Sequence, residues 1–272
     1  MLRRSRGSHN QTHNQTHNQE RPILVYWIGD MGENVVRGPI LVVLIFAACQ
    51  LAAQQAPARN ASFAISQQGK AVGTASFHIA AAANGYDSSS VVRVEMQGLD
   101  YALSKNEELS SSNELQHVDL SATVNEQAVH VTAKPDEAQL LVNISAGGRS
   151  TTTRLEAHSA AVFLPDFDPG ALESLLALAV AHNNRGLWAI IPKQAGSVAP
   201  ISLATYPDQE GTLDGKPIAV HHLAATINGA TTDLFAGPEN QLLQAELPQP
   251  GFALVRKGFV LKPAAKPIAP AE

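Results

Sequence analysis

The sequence predicts a mainly β fold: an antiparallel curved sheet or open barrel built from successive hairpins, wrapped on one central α-helix at about residues 168–184. Three observations predict it. From Ser62 onward apolar and polar residues alternate with period two, as strands with one buried and one wet face require. Asn84-Gly85, Gly147-Gly148, Asp214-Gly215 and Asn228-Gly229 stand between the alternating runs. Such pairs tolerate positive φ at both central positions, which tight type I′ hairpins need. One segment alone, after Asp166-Phe167-Asp168-Pro169-Gly170, changes to helical spacing.

The strands follow in order. Gly73, Ala75, Phe77 and Ile79 alternate with Thr74, Ser76 and His78, and Val92, Val94 and Met96 with Arg93, Glu95 and Gln97. Leu99, Tyr101 and Leu103 alternate in the same way, as do Val118 to Val124 and Val129 to Ala133. Residues i and i+2 of a strand share a face, so each run buries one side. The expected strands are 61–68, 70–82, 86–97, 99–109, 114–124, 127–134, 138–146 and 149–157. Asp168 is then placed to cap a helix and Pro169 to open it. Leu172, Leu175, Leu176, Ala179 and Val180 follow i, i+3, i+4 spacing as an apolar stripe, and Asn183-Asn184-Arg185-Gly186 ends the helix. Strands resume at 187–192, 198–206, 210–213, 216–228, 230–236, 241–247 and 252–261. Residues 263–272, rich in Pro and Ala, read as a disordered tail.

Composition excludes several function classes. The chain has 272 residues, with 19 Lys and Arg, 24 Asp and Glu, and 44% hydrophobic residues. That is globular composition. Cys49 is the one cysteine, so a disulfide within one chain and any cysteine-built zinc or iron–sulfur site are excluded. Residues 54–272 carry 14 basic against 21 acidic side chains, a net of −7. An acidic domain does not seek nucleic acid or anionic headgroups by electrostatics. No Gly-x-Ser-x-Gly elbow and no Gly-rich phosphate loop is present.

The first 53 residues read as processing. Residues 1–30 carry a His-Asn-Gln-Thr repeat with His9, His13 and His17 four apart. They are taken as a disordered extension upstream of Met31, with a metal-binding tract as the alternative. Residues 31–53 read as a signal peptide: Arg37, then ten residues from Pro39 to Ala48 without a polar side chain. That run is too short to span a bilayer, which needs about 20 residues. Leu51-Ala52-Ala53 offers a cleavage site before a linker at 54–60 and a single β-rich domain at 61–262. The competing exit, Phe46-Ala47-Ala48-Cys49, is similar to a bacterial lipobox, in which Cys49 is acylated. Only then is a membrane a partner. The expected location is exported, periplasmic or extracellular.

The order of long β meander, helix and second β meander resembles a group of uncharacterised bacterial envelope domains. Their fold looks like the half-wrapped open barrel of the lipoprotein carriers of the Lol system. Phe63-Ala64-Ile65 to Gly69-Lys70-Ala71-Val72-Gly73-Thr74-Ala75 looks like their opening hairpin. Trp188-Ala189-Ile190-Ile191-Pro192 follows the helix, and Asp233-Leu234-Phe235 to Val255-Arg256 is similar to their closing strands. The resemblance spans about residues 61–261 and implies fold and compartment; function does not follow from it.

Three constellations are candidates for chemistry. Phe163, Phe167, Leu172, Leu175, Leu176 and Trp188 form an apolar group that either fills the core or lines a cavity for a lipid or acyl chain. His221 and His222 point to opposite faces of one strand, so a metal site needs one of them with carboxylates such as Asp208, Asp233 or Glu239. Asp166 and Asp168 flank Phe167; capping explains Asp168, and acid–base work is the alternative. No cofactor is expected. The leading expectation is a non-enzymatic envelope protein that binds an apolar ligand or assists envelope assembly. A filled interaction module that meets an envelope protein partner is second, and a metal-dependent or hydrolytic enzyme third.

Overall fold

A computed structural model describes residues 58–193, 196–249 and 251–263. The expectations for the signal peptide, Cys49 and the tail beyond residue 263 lie outside the described residues. The first half is a continuous meander in which each strand is antiparallel to the one before. Its strands are β1 (Arg59–Gln67), β2 (Lys70–Ala82), β3 (Gly85–Met96) and β4 (Leu99–Ser110), followed by β5 (Leu115–Val124), β6 (Gln127–Asp136), β7 (Gln139–Ala146) and β8 (Arg149–Glu156). After β9 (Ala161–Phe163) and α1 (Pro169–Ala181) come β10 (Leu187–Ile191), β11 (Ser197–Leu213), β12 (Lys216–Ile227) and β13 (Ala230–Ala236). β14 (Leu242–Glu246), β15 (Phe252–Arg256) and β16 (Phe259–Leu261) complete the described part.

The strands form one large curved sheet that is not closed into a barrel. Its order runs β8 to β1, then β15 back to β9, and the two halves join where β1 pairs with β15. The alternation read from sequence sets which side is buried. Phe63 and Ile65, Val92 and Val94, Val118 and Leu120, and Val131 and Ala133 all enter the main core. α1 packs against β2, β3, β9 and β14. It is buried on nearly all sides, Leu178 included, whereas Val180 is 56% exposed and leaves the expected stripe. The helix spans a shorter stretch than 168–184, because Asn183 and Asn184 take positive φ and end it.

Several expectations need correction. β1 begins at Arg59, inside the expected linker. β9, three residues of an apolar run, was not foreseen and pairs parallel with β10, so the sheet is not wholly antiparallel. Parallel neighbours need a crossover, and α1 is that crossover. The expected strands 198–206 and 210–213 are one strand, β11, with a register shift between Tyr206 and Gln209 around Pro207-Asp208. The expected strand 252–261 is two, broken at Lys257-Gly258 where Gly258 takes φ +82°. Asn84-Gly85 is not the centre of a type I′ turn: Gly85 already pairs with Ala82. The other three pairs do have positive φ at both positions.

Gly85 is constrained for a different reason. Its φ is +154°, and a Cβ would lie 1.9 Å from the Leu109 carbonyl oxygen on β4. Gly85→Ala is expected to lower stability by about 1–3 kcal/mol. A urea unfolding midpoint within error of the parent would contradict that.

The C-terminal half curls more tightly. β16 pairs with β11, four places from β15 in the sheet, after a turn of only two residues. Val220, Phe235, Leu243 and Phe259 make a second apolar cluster there. Adjacent Leu234 and Phe235 are both buried, one in each cluster, so β13 is covered on both faces.

Candidate functional site

Four segments distant in sequence meet at the N-terminal end of α1. They are the turn from Leu164 to Asp168, the end of β10 with Lys193, the β12–β13 hairpin, and the loop between β14 and β15. They enclose a hollow of about 330 Å³. Leu164, Phe167, Leu172, Ile191, Ile227 and Leu247 give it apolar walls. Asp168 lies at its floor, 1% exposed, and Thr232, 9% exposed, in its side. At the rim Lys193 Nζ stands 2.8 Å from Asp166 Oδ1. Gln249 Oε1 is buried beside the hollow with no hydrogen-bond partner among the described residues. Apolar walls with few polar groups are the usual make-up of a ligand pocket.

The local backbone is built for this turn. Asp168 Oδ1 accepts from Gly170 N at 2.9 Å and Pro169 occupies the first helical turn, as expected from sequence. Phe167 takes φ +58°, a conformation disfavoured for a bulky side chain. It is held there by its ring, 5.8 Å from that of Tyr101 and 5.2 Å from that of Phe252. The Tyr101 hydroxyl donates to the Asp166 carbonyl at 3.3 Å. Burial, then the Asp166 and Asp168 charges, push the Tyr101 hydroxyl far above its ordinary pKa, so it stays a donor.

Beneath the floor lies a charged cluster that sequence reasoning missed. Lys105, fully buried, has Nζ 2.8 Å from Asp168 Oδ2, an ion pair not aligned as a hydrogen bond. The same ammonium donates to Glu107 Oε2 at 3.0 Å. Burial pulls Lys105 down, but Asp168 and Glu107 outweigh it and hold the ammonium above the ordinary lysine range. Burial pushes the Glu107 carboxyl up against the pull of Lys105, and Asp168 adds to the rise. Ser88 and Ser90, opposite Glu107 and Lys105 on β3, bury hydroxyls without hydrogen-bond partners among the described residues. The cluster ties the helix N-terminus to β4.

The sequence-predicted residues divide. Phe167 and Leu172 line the hollow. Phe163, Leu175 and Leu176 are 0–3% exposed and fill the core. Trp188 is half-buried, away from the hollow, with its ring stacked 3.7 Å from that of His158. His222 Nε2 pairs with Asp233 Oδ1 at 2.8 Å, and its Nδ1 lies 3.4 Å from Gln209 Nε2, between the rings of Tyr206 and Phe235. His221 Nδ1 separately meets Asp208 Oδ1 at 3.0 Å. Each histidine thus has its own carboxylate, and no group of three metal-ligating side chains occurs among the described residues.

A larger groove, about 810 Å³, crosses β3 to β8 on the face away from the core. A row of polar residues in register, Ser104, Ser121, His130, Ser145 and Ser150, runs across it. It is a shallow trough open to solvent, and no buried polar side chain points into it. No protein-family model matches the chain, and no curated protein or solved structure is significantly similar to it.

Proposed function

We propose that this chain is an exported, non-enzymatic envelope protein that holds a lipid or other apolar molecule in the hollow at the N-terminal end of α1. The observation that carries the reading is the hollow itself: apolar walls, an ion pair at the mouth and a strained aromatic in its lining. Strained backbone clusters at ligand sites, where surrounding contacts hold it in place. Secretion rests on residues 31–53, and anchoring, if it occurs, on Cys49.

Ala230 is exposed at the edge of the hollow, so Ala230→Trp plugs the mouth without entering the core. The parent is expected to take up the apolar probe N-phenyl-1-naphthylamine saturably. The variant should bind it at least roughly tenfold more weakly, with an unchanged unfolding midpoint. Native mass spectrometry of the protein from its own envelope would then show a co-purifying lipid and whether the chain starts at an acylated Cys49. No uptake by the parent leaves the second reading, an interaction module with a filled interior. Phe163, Leu175, Leu176 and Leu178 favour that reading, because all four are buried in the main core.

A further inference from the structure

We infer that the hollow selects a single-chain amphiphile with a zwitterionic head group, its anionic centre on Lys193 and its ammonium on Asp166. The inference rests on the reading of the hollow as a ligand site and names the ligand class. Volume sets the tail. About 330 Å³ is at the lower end of small-molecule pockets, roughly 300–1,000 Å³, which suits one chain rather than two.

Charge sets the head. The mouth holds one cation and one anion, already paired at 2.8 Å, with Lys193 57% and Asp166 33% exposed. A purely anionic head that reached Lys193 would displace Asp166 and then face it. A purely cationic head would do the same to Lys193. A head with both charges replaces one ion pair by two and leaves neither rim side chain opposed, so it discriminates by repulsion as well as attraction. The floor cannot supply a further charge, because Asp168 is already paired with Lys105.

Gln249 and Thr232 add polar side chains to the lining, which suits a hydroxyl or amide between head and chain.

The test displaces N-phenyl-1-naphthylamine from the full chain, below micelle formation, with four probes on the same chain length. They are dodecanoyl lysophosphatidylethanolamine, dodecanoate, dodecylamine and dodecanol. The lysophospholipid is expected to bind at least roughly tenfold more tightly than dodecanoate or dodecylamine. Asp166→Asn and Lys193→Met should each remove that advantage, and an unchanged urea midpoint shows that both variants are folded, since an exposed ion pair adds little stability. Equal binding of dodecanoate and the lysophospholipid, or a ranking unmoved by both variants, overturns the head-group assignment while the hollow stands. Failure of all four probes, dodecanol included, overturns the hollow and the assignment together.

Discussion

Lys105→Met is expected to destabilise the domain by about 3–5 kcal/mol, the loss typical when one partner of a buried ion pair is removed. The side chain is fully buried, and its ammonium faces two buried carboxylates, Glu107 and Asp168. Methionine fills much of the same volume, so the loss reports charge and not a cavity. What remains is two carboxyls in the same dry space with no cation between them, one of them the cap of α1. A double variant separates these effects. In Lys105→Met/Glu107→Leu only Asp168 keeps a charge, and its Oδ1 still accepts from Gly170 N. The double variant should regain only the part of the loss that comes from Glu107, because Asp168 still lacks its cation. Urea midpoints of the three proteins decide it. A single variant within about 1 kcal/mol of the parent would mean that the cluster does not anchor the helix.

The same cluster shows how far the sequence can be read. On β4 the inward parity runs Tyr101, Leu103, Lys105, Glu107, Leu109, so the alternation that places Leu103 inside places the two charges inside as well. That signal was present, but burial of Lys and Glu runs against composition, and their partner, Asp168, lies across the fold. The meander, the helix cap and three of four glycine turns were legible because each depends on residues close together in the chain. β9 was not, because three apolar residues carry no period. The hollow was half legible. Leu172 belongs to the helix that marks the site and Phe167 to the turn that leads into it, whereas Lys193, Thr232 and Gln249 reach it only through sheet order and loop path. Core and lining residues of one helix have the same chemistry, so Leu172 could not be told from Leu175 before the sheet was placed.

Stability is expected to fall as pH rises above about 4.5, and Glu173 and Glu107 are the cause. Glu173 is 1% exposed on α1; its Oε2 accepts from Leu242 N at 2.7 Å and its Oε1 meets Arg59 Nη1 at 3.1 Å. Burial pushes its carboxyl above the ordinary 4.5, and the Leu242 N–H and Arg59 offset this only in part. Glu107 is also raised, by burial first. A carboxyl with a higher pKa folded than unfolded holds more protons in the folded state. Its contribution is therefore full below pH 4.5 and is lost as pH rises through the folded-state value. Each such proton is worth at most about 1.4 kcal/mol per pH unit. Glu210, held low by Lys262, acts in the opposite sense, but it is fully exposed and screened. Glu173→Gln and Glu107→Gln isolate the effect, because glutamine keeps the shape and cannot ionise. The parent should lose stability as pH rises from about 4.5, each variant should lose less, and the double variant least. If the variants followed the parent's pH curve, the proton uptake would lie elsewhere, and the two glutamates would be ionised in the fold, Glu107 on Lys105 and Glu173 on Arg59.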